Sequence, residues 1–415
     1  MFRAIASDDF PPFGKFRMDF PPVENKPADL AEVHLLTGVN GTGKTRLLAW
    51  LAAMLGGPVG LIRRLRGVTE TVVLSATDAP GGAEGSAVWA KMQAAHGGLI
   101  WAITRPLCEW AARVPAFAYD GAAYVSDAAI APMAGVKRPE RLQCLSFSRP
   151  DNYSAALLQA IANLKMQAAM DSMGRGASRV SSRAAQIVQS LEGVLSDISG
   201  HEFLFHVRAY PNPALQVQWA NVQLPFDLLP DGLRSVIGWL VDAVVMMDAW
   251  LQGKGSPAEV EAVFLLDEPE THLHPAWQRR VVPAFQGLFP KAQIFVATHS
   301  PFVVSSLTHG WIHKLRLEKD GKVTVEKPVR ASPGESYISV VEDIMGLEEW
   351  YDPETEKQLA EFRAERDRAY KGDGEAKARA LKLAQELSAR SMELSCVMGR
   401  EINQMERQLA NVEKK

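Results

Sequence analysis

The chain has 415 residues, of which 47% are hydrophobic and 22% are charged, a balance that excludes wholesale disorder and a fibrous repeat. Its 45 basic and 48 acidic residues give a net charge of −3, which predicts no overall attraction to nucleic acid, although a local basic strip would survive that average. The three cysteines, Cys108, Cys144 and Cys396, are far apart and fit neither a disulfide framework nor a zinc site.

The N-terminal segment lacks the apolar core of a signal peptide, and no apolar run reaches the roughly 20 residues that span a bilayer. The most apolar stretch, residues 236–250, is interrupted by Asp242 and Asp248. Together with the cysteine content, these features predict a cytoplasmic protein with no membrane partner.

In chain order, the first clear unit is a strand, a glycine loop and a helix. Residues 32–37 form a short apolar run that is typical of a buried strand, residues 38–45 are rich in glycine, and residues 46–55 have apolar positions at helical spacing. Short apolar strands between about 69 and 105 then indicate a peripheral antiparallel sheet. We expect a helical insertion at about 151–200, where Arg175, Arg179 and Arg183 are typical of a solvated helix face, with a nucleic-acid contact as the alternative.

Two further runs, residues 262–266 and 293–297, are short and continuously apolar, as parallel strands buried on both faces are. The fold class predicted is α/β, with a mixed β-sheet that carries the glycine loop. After about residue 330 the composition changes to Glu, Lys, Arg and Ala. The chain should therefore divide into a domain at 1–330 that carries the glycine loop and a C-terminal helical region at 331–415 that serves oligomerisation or effector binding.

In the last helix of that region, apolar residues are spaced alternately four and three apart. This spacing is typical of a short coiled-coil seam, but a helix packed on its own core has the same pattern, and the sequence does not separate the two. The seam residues are Met398, Ile402, Met405, Leu409 and Val412.

The glycine loop, Gly38 to Thr45, matches the G-x-x-x-x-G-K-[ST] phosphate-binding pattern in full, between a predicted strand and helix. Its backbone N–H groups and the positive end of the following helix favour phosphate. Lys44 supplies a cation to the phosphates, and the Thr45 hydroxyl is a Mg²⁺ ligand. The predicted cofactors are therefore ATP and Mg²⁺. The residues expected to bind the nucleotide are Gly38, Asn40, Gly41, Thr42, Gly43, Lys44, Thr45 and Arg46.

Two acidic residues end the apolar run at 262–266. Asp267 is expected to lie beside the phosphate loop and to hold Mg²⁺, and Glu268 is placed where a carboxylate could polarise the attacking water. His299 follows the next apolar run and could reach the γ-phosphate or orient water. We therefore predict Glu268, His299 and Lys44 as the catalytic residues. His272 and His274 lack a third ligand and do not indicate zinc.

This ordered set resembles the ABC ATPase superfamily. The segments DEPETHLHPAWQ and ATHSP look like the branch that contains OLD-type ATPases and the ATPase subunits of anti-phage systems such as Septu and PARIS. The resemblance covers about residues 1–330 and implies an ABC-type head, with ATP sandwiched between two heads of a homodimer or a higher oligomer.

In such a sandwich one head supplies a signature loop, and the segment Leu229 to Ser235 stands at the corresponding place. It departs from the family pattern, because Pro230 replaces the serine that would contact the γ-phosphate of the other head. Asp231 as a helix N-cap, Gly232 and Arg234 could still form an anion site. Gln143 is the candidate for the metal-contacting glutamine of the family.

The function predicted is an ATP-hydrolysing regulatory subunit of a bacterial anti-phage system. The residues that follow His299 look helical, with no run of strands that ends in acidic clusters, so a nuclease-like effector should be a separate chain. The alternative is a RecF-like DNA-repair ATPase, with DNA as its partner. A transporter subunit is disfavoured by the altered signature and by the THLHP segment. Co-purified material, whether effector, DNA or membrane subunit, would separate these classes.

Overall fold

The residues described by the computed structural model are 1–10, 12–55, 72–77, 87–95, 98–103, 114–121, 125–126, 128, 130–131, 153–174, 182–208, 212–251, 254–334, 336–347 and 349–412. The chain divides into two compact units, Met1–Met345 and Gly346–Lys415. The candidate site lies in the first unit.

The strands of the first unit are, in chain order, β1 (Ala4–Phe10), β2 (Gly14–Asp19), β3 (Glu32–Gly38), β4 (Val72–Thr77), β5 (Ala87–Ala95), β6 (Gly98–Ile103), β7 (Ala116–Asp120), β8 (Phe203–Arg208), β9 (Ala214–Trp219), β10 (Val222–Pro225), β11 (Val263–Asp267), β12 (Gln293–Ala297), β13 (Trp311–Leu317), β14 (Val323–Val325) and β15 (Val329–Arg330).

Its helices are α1 (Lys44–Met54), α2 (Tyr153–Gly174), α3 (Arg183–Ser199), α4 (Asp231–Leu251), α5 (Pro275–Leu288), α6 (Pro301–Ser306) and α7 (Tyr337–Ser339). Short 3₁₀ turns occupy Phe226–Leu228 and Pro257–Glu259, and a π-helical turn, Val340–Ile344, continues α7.

The central sheet has the order β14-β13-β3-β12-β11-β7 among the described residues, with β15 paired to β13. Strands β13, β3, β12, β11 and β7 are parallel, whereas β14 and β15 run antiparallel to them. Every residue of β11 and β12 is buried, which explains why both strands read as continuous apolar runs. The sheet is mixed, so the predicted α/β fold class with a mixed sheet is confirmed.

The register of this sheet brings three strand ends together. Asp267 at the end of β11 pairs with Ala297 at the end of β12, and Ala297 pairs with Leu36 of β3. Since β3 leads directly into the glycine loop, the residues that follow β3, β11 and β12 meet at one edge. Ligands of parallel α/β sheets bind at this carboxyl edge.

Two antiparallel sheets lie outside the central one, in the orders β2-β1-β4-β5-β6 and β10-β9-β8. On one face of the central sheet, buried side chains of α2 to α5 form a large apolar core around Trp239 and Phe264. On the other face, α1 packs with the β1–β2 hairpin, where the Trp50 and Phe16 rings meet edge to face with centroids 5.5 Å apart. Helix α1 is therefore held from both sides, and its first turn is fixed beside the carboxyl edge.

The second unit consists of three helices, α8 (Pro353–Ala369), α9 (Gly374–Ser388) and α10 (Met392–Val412). It has its own apolar core, in which Phe362 of α8, Leu387 of α9 and Met398 and Met405 of α10 are buried. Ile402 packs against the same core, so three residues of the predicted seam lie inside this unit, as the alternative of a helix on its own core requires. The side chains of Leu409 and Val412 lie outside the described residues.

No helix within the described ranges is long and apolar enough to cross a bilayer.

Candidate functional site

The glycine loop connects β3 to α1 in a path that favours glycine at three positions. Gly38, Gly41 and Gly43 have φ of +153°, +88° and +83°, conformations that L-residues avoid. A Cβ at Gly38 would collide with the Leu315 carbonyl oxygen, and one at Gly43 would lie 2.9 Å from the Phe13 ring. The loop therefore passes β13 and the β1–β2 hairpin at distances that exclude a side chain.

Lys44 is the first residue of α1 and is 5% exposed. Its ammonium group donates to the carbonyl oxygens of Gly38, at 2.8 Å, and Val39, at 3.3 Å, and lies 3.4 Å from His299 Nδ1. Burial lowers the pKa of Lys44 to about 8, against the opposing effect of the nearby carboxylates of Glu268, Asp267 and Glu270. At neutral pH the side chain is still a cation, held within the loop.

The next residue joins the loop to β11. The Thr45 hydroxyl donates to Asp267 Oδ1 over 2.9 Å, and Asp267 is 5% exposed. A hydroxyl and a carboxylate at this separation form an oxygen donor set of the kind that Mg²⁺ prefers. Both residues of the predicted metal pair are therefore together and suit that ion.

Glu268 leaves the end of β11 in a left-handed conformation with φ of +48°. Its N–H donates to the Ala297 carbonyl oxygen over 2.8 Å, and its Oε1 lies 3.4 Å from His299 Nε2. Both side chains keep solvent access, at 46% for Glu268 and 33% for His299. Burial, with the charge of Lys44, lowers the pKa of His299, so that its ring is neutral at neutral pH. His299 thus contacts both of the other residues predicted to be catalytic, Lys44 and Glu268.

The other loop residues occupy its rim and base. Asn40 and Gly41 are exposed, Thr42 is buried with its hydroxyl donating to the Val39 carbonyl oxygen over 2.9 Å, and Arg46 is half-buried in α1. His274 caps α5, because its Nδ1 accepts from the Ala276 N–H over 3.2 Å. The predicted metal contact of Gln143 lies outside the described residues.

The signature segment differs from its predicted form. Asp231 is the first residue of α4 and does not cap it, because the Arg234 N–H donates to the Pro230 carbonyl oxygen over 3.1 Å, which makes Pro230 the capping residue. The Arg234 guanidinium donates to the Val125 carbonyl oxygen and pairs with Asp231 at 3.1 Å. The carboxylate of Asp231 therefore neutralises the positive charge that Arg234 would contribute to the predicted anion site.

Gly232 is buried, and its surroundings belong to the same chain. A Cβ at this position would lie 2.5 Å from the His272 carbonyl oxygen and 2.9 Å from Leu273 Cδ2. The first turn of α4 thus packs directly on the segment that follows Glu268. A contact of Gly232 with the nucleotide of a second head remains a prediction.

Gly232→Ala should lower the free energy of unfolding by about 1–3 kcal/mol, because the new methyl group overpacks this contact. The matched control is Gly193→Ala in α3, where a Cβ meets nothing within 4 Å, and where alanine should stabilise the helix by up to about 1 kcal/mol. Denaturant unfolding of both variants measures the difference. Equal stability of the two variants would contradict the close packing of Gly232.

Sequence reasoning missed Glu270, which is 8% exposed. Its Oε1 accepts from the Thr298 hydroxyl and from the His299 N–H at 3.1 Å. Burial raises the pKa of Glu270 to about 7, assisted by the charge of Glu268 and opposed by these hydrogen bonds. The available signal is a third acid three residues after Asp267, but its burial depends on the position of β12, which the sequence does not give.

This raised pKa makes stability depend on pH. Between its usual 4.5 and about 7, the folded state keeps a proton that the unfolded state has released, so the free energy of unfolding falls as pH rises through this window. The loss amounts to ~3 kcal/mol. Glu270→Gln removes the titration, so we expect its stability relative to the parent to be higher at pH 8 than at pH 5 by this amount. Urea unfolding at both pH values measures it, and a pH-independent difference would refute it.

A protein-family model described as "AAA domain, putative AbiEii toxin, Type IV TA system" matches residues 221–305. This range contains α4, β11 and β12. The chain is 27% identical over 151 residues to "Septu protein PtuA" of Bacillus thuringiensis, which covers 35% of this chain and 38% of the relative. It is 38% identical over 80 residues to "Retron Vc95 probable ATPase" of Vibrio cholerae, covering 19% of this chain and 16% of the relative.

The chain thus spans less than half the length of either curated relative. Among solved structures, a Smc head domain with an extended coiled coil, bound to the C-terminal domain of ScpA from Pyrococcus furiosus, is 13% identical with a TM-score of 0.45 and covers 83% of this chain and 99% of that one. The resemblance to ATPases of anti-phage defence systems, which the motifs predict, is confirmed by the Septu and retron relatives.

Proposed function

We propose that this protein binds ATP with Mg²⁺ and hydrolyses it, and that the nucleotide controls its assembly. The observation that carries the proposal is the convergence of three chain segments at one sheet edge. There Lys44 lies 3.4 Å from His299, His299 lies 3.4 Å from Glu268, and Thr45 donates to Asp267 over 2.9 Å.

Each residue has a role that follows from its chemistry. The Lys44 cation, held by carbonyl oxygens in a partly desolvated site, attracts phosphate oxygens more strongly than it would in water. Thr45 and Asp267 are the residues that would hold Mg²⁺, which when bound neutralises phosphate charge. Glu268 is a solvent-accessible carboxylate that can accept a proton from water. The neutral His299 ring contacts both Lys44 and Glu268 and can orient them.

The chemistry of the loop fits a phosphate ligand. The positive end of α1 points at the loop, where partial positive charge favours anions. Lys44 is the buried cation among acidic neighbours Glu268, Asp267 and Glu270, and a bound phosphate would add negative charge beside it. A divalent cation would reduce the repulsion between the phosphate and these carboxylates. This supports ATP and Mg²⁺ as ligands that bind together.

For assembly, we propose a homodimer of heads that share ATP, with higher oligomers formed from such dimers. Gly346–Lys415 is our candidate for oligomerisation or for binding a separate, nuclease-like effector, because it is a compact unit with its own core. The relatives named as Septu and retron proteins support a role in anti-phage defence. Of the three arginines predicted to form a solvated helix face, Arg175 and Arg179 lie outside the described residues. Arg183 donates to Asp248 over 2.7 Å, so this residue does not favour DNA as the partner.

The test is co-purification of the full chain with the products of its neighbouring genes, followed by mass measurement with ATP and Mg²⁺, with ADP, and without nucleotide. We expect a protein partner and a mass that changes with ATP. Recovery of DNA with no protein partner would contradict the regulatory role and favour a DNA-repair ATPase.

A further inference from the structure

Glu270 is a buried acid to which the chemistry proposed above gives no role. One of its carboxylate oxygens, Oε1, accepts hydrogen bonds from the Thr298 hydroxyl and from the His299 N–H at 3.1 Å. Because β12 ends at Ala297, this single oxygen holds the first two residues after the strand. The backbone of His299 is therefore fixed by Glu270.

The side chain of Gln278, in the helix that follows the Glu270 segment, holds Ser300, the residue after His299. Gln278 of α5 donates to the Leu273 carbonyl oxygen over 2.9 Å and accepts from the Ser300 hydroxyl over 2.6 Å. The Ser300 N–H donates to Thr298 Oγ1 over 3.0 Å. The segment between β11 and α5, residues 268–274, is thus tied to the segment that carries His299 at two points.

The arrangement around Glu270 costs stability. Among the described residues, its second oxygen, Oε2, has no hydrogen-bond partner although it is buried. Leaving a buried acceptor unpaired is unfavourable, and burial raises the pKa of this carboxyl to about 7. An apolar side chain would avoid both costs, but it would leave the Thr298 hydroxyl and the His299 N–H without this acceptor. The acid is therefore explained by the two hydrogen bonds that it accepts rather than by packing.

The 268–274 segment also has a second contact face. Its His272 carbonyl oxygen and its Leu273 side chain lie against Gly232 in the first turn of α4. Two of its residues, Glu268 and His272, have positive φ values of +48° and +65°, which is a strained conformation for residues other than glycine. The segment is therefore held between α4 on one side and the end of β12 on the other.

We propose that Glu270 is a positioning residue that sets the location of His299 relative to Lys44 and Glu268, and that it links this location to the contact between the 268–274 segment and α4. A shift of the first turn of α4 would then reach His299 through Glu270. The inference rests on the proposed hydrolysis of ATP. In that proposal His299 matters because it contacts both the phosphate-loop lysine and the candidate base.

The experiment is a double-mutant cycle on the full chain, with steady-state ATP hydrolysis measured for the parent, Glu270→Ala, His299→Ala and the double variant. Glu270→Ala should lower kcat by about 10-fold to 100-fold, since a displaced side chain can cost that much, while KM for ATP changes less than about 2-fold. In the His299→Ala background, adding Glu270→Ala should change kcat by less than about 2-fold, because the residue acts through His299.

Two further variants keep the test decisive if Glu270→Ala does not fold. Glu270→Gln has an amide oxygen that can accept the same two hydrogen bonds, so it should keep kcat within about 3-fold of the parent. Thr298→Val removes, at nearly constant volume, the hydroxyl that donates to Glu270 and accepts from the Ser300 N–H, and it should lower kcat with KM unchanged, but only when His299 is present. The control is Glu192→Ala, which removes another largely buried carboxylate, one that accepts from Lys165 at 2.9 Å and from the Phe205 N–H at 2.8 Å, and should leave kcat within about 2-fold.

The outcomes separate this inference from the proposed function. If the parent does not hydrolyse ATP, the proposed function fails and the inference fails with it. The positioning role alone is wrong if the parent is active and His299→Ala is slow, but the effects of Glu270→Ala and His299→Ala on kcat multiply. It is also wrong if Thr298→Val lowers kcat equally in the parent and in the His299→Ala variant.

Discussion

Glu268→Gln is expected to slow ATP hydrolysis by a factor of about 10² to 10⁴, which is the usual loss when a general base is removed, or ~3–5 kcal/mol in activation free energy. The amide has the same shape as the carboxylate but cannot accept a proton from water. Lys44, Thr45 and Asp267 keep their contacts, since none of the hydrogen bonds at 2.8 Å and 2.9 Å that hold them involves Glu268. Mg²⁺-ATP should therefore still bind.

If ATP joins two heads, the slow variant should accumulate as an ATP-bound dimer or larger assembly. Light scattering with ATP, and without nucleotide, measures this mass, and phosphate release measures the rate. Glu361→Gln, an exposed acid in α8, serves as the control and should match the parent in both. Hydrolysis by Glu268→Gln at the parental rate would show that Glu268 is not the base.

Lys44→Ala is expected to weaken ATP binding by about 10²-fold or more, because removing one partner of a largely desolvated charge pair costs about 2–5 kcal/mol or more. The fold should remain, since among the described residues the Lys44 ammonium is hydrogen-bonded only to the loop carbonyl groups of Gly38 and Val39 and lies beside the His299 ring. Equilibrium titration with a fluorescent ATP analogue measures the affinity, and thermal unfolding checks the fold.

Lys15→Ala is the matched control for that experiment, because Lys15 is an exposed cation in β2. It should bind nucleotide as the parent does. If a folded Lys44→Ala protein binds the ATP analogue with the affinity of the parent, the nucleotide does not bind at the glycine loop.

The sequence is sufficient to predict the elements that carry the phosphate loop and the two acids. The β3–loop–α1 unit is specified locally by glycine spacing, and β11 and β12 are recognisable because strands buried on both faces must be apolar throughout. The carboxyl ends of parallel strands meet at one edge of a sheet, so the sequence could place Lys44, Asp267 and His299 at the same edge. The strand order that makes them neighbours comes from the structure.

Features that depend on contacts between distant segments could not be predicted. The role of Glu270 requires the end of β12 to lie over the 268–274 segment, and the need for glycine at 232 arises from the His272 carbonyl oxygen. The sequence predicts Asp231 as the cap of α4, but the helix extends back to the Pro230 carbonyl group. Propensity alone does not decide such helix ends, because tertiary contacts override it.

A buried polar cluster in the central sheet is likewise invisible in the sequence. Glu32 Oε1 accepts from His34 Nε2 at 2.9 Å and pairs with Arg3, and His34 Nδ1 lies 3.1 Å from His313 Nε2. The ion pair and hydrogen bonds lower the pKa of Glu32 to about 2, against the effect of burial. This cluster joins β3 to β13 and the N-terminus, and the residues concerned are too far apart in the chain to suggest each other.

The central claim is that the site formed by Lys44, Thr45, Asp267, Glu268 and His299 hydrolyses ATP. The most direct measurement is phosphate release from ATP by the purified full chain, with and without Mg²⁺, beside Lys44→Ala and Glu268→Gln purified in the same way. We expect Mg²⁺-dependent release by the parent that both variants largely lose. Release that is equal in all three proteins, or no release by a folded parent together with its partner, would contradict the claim.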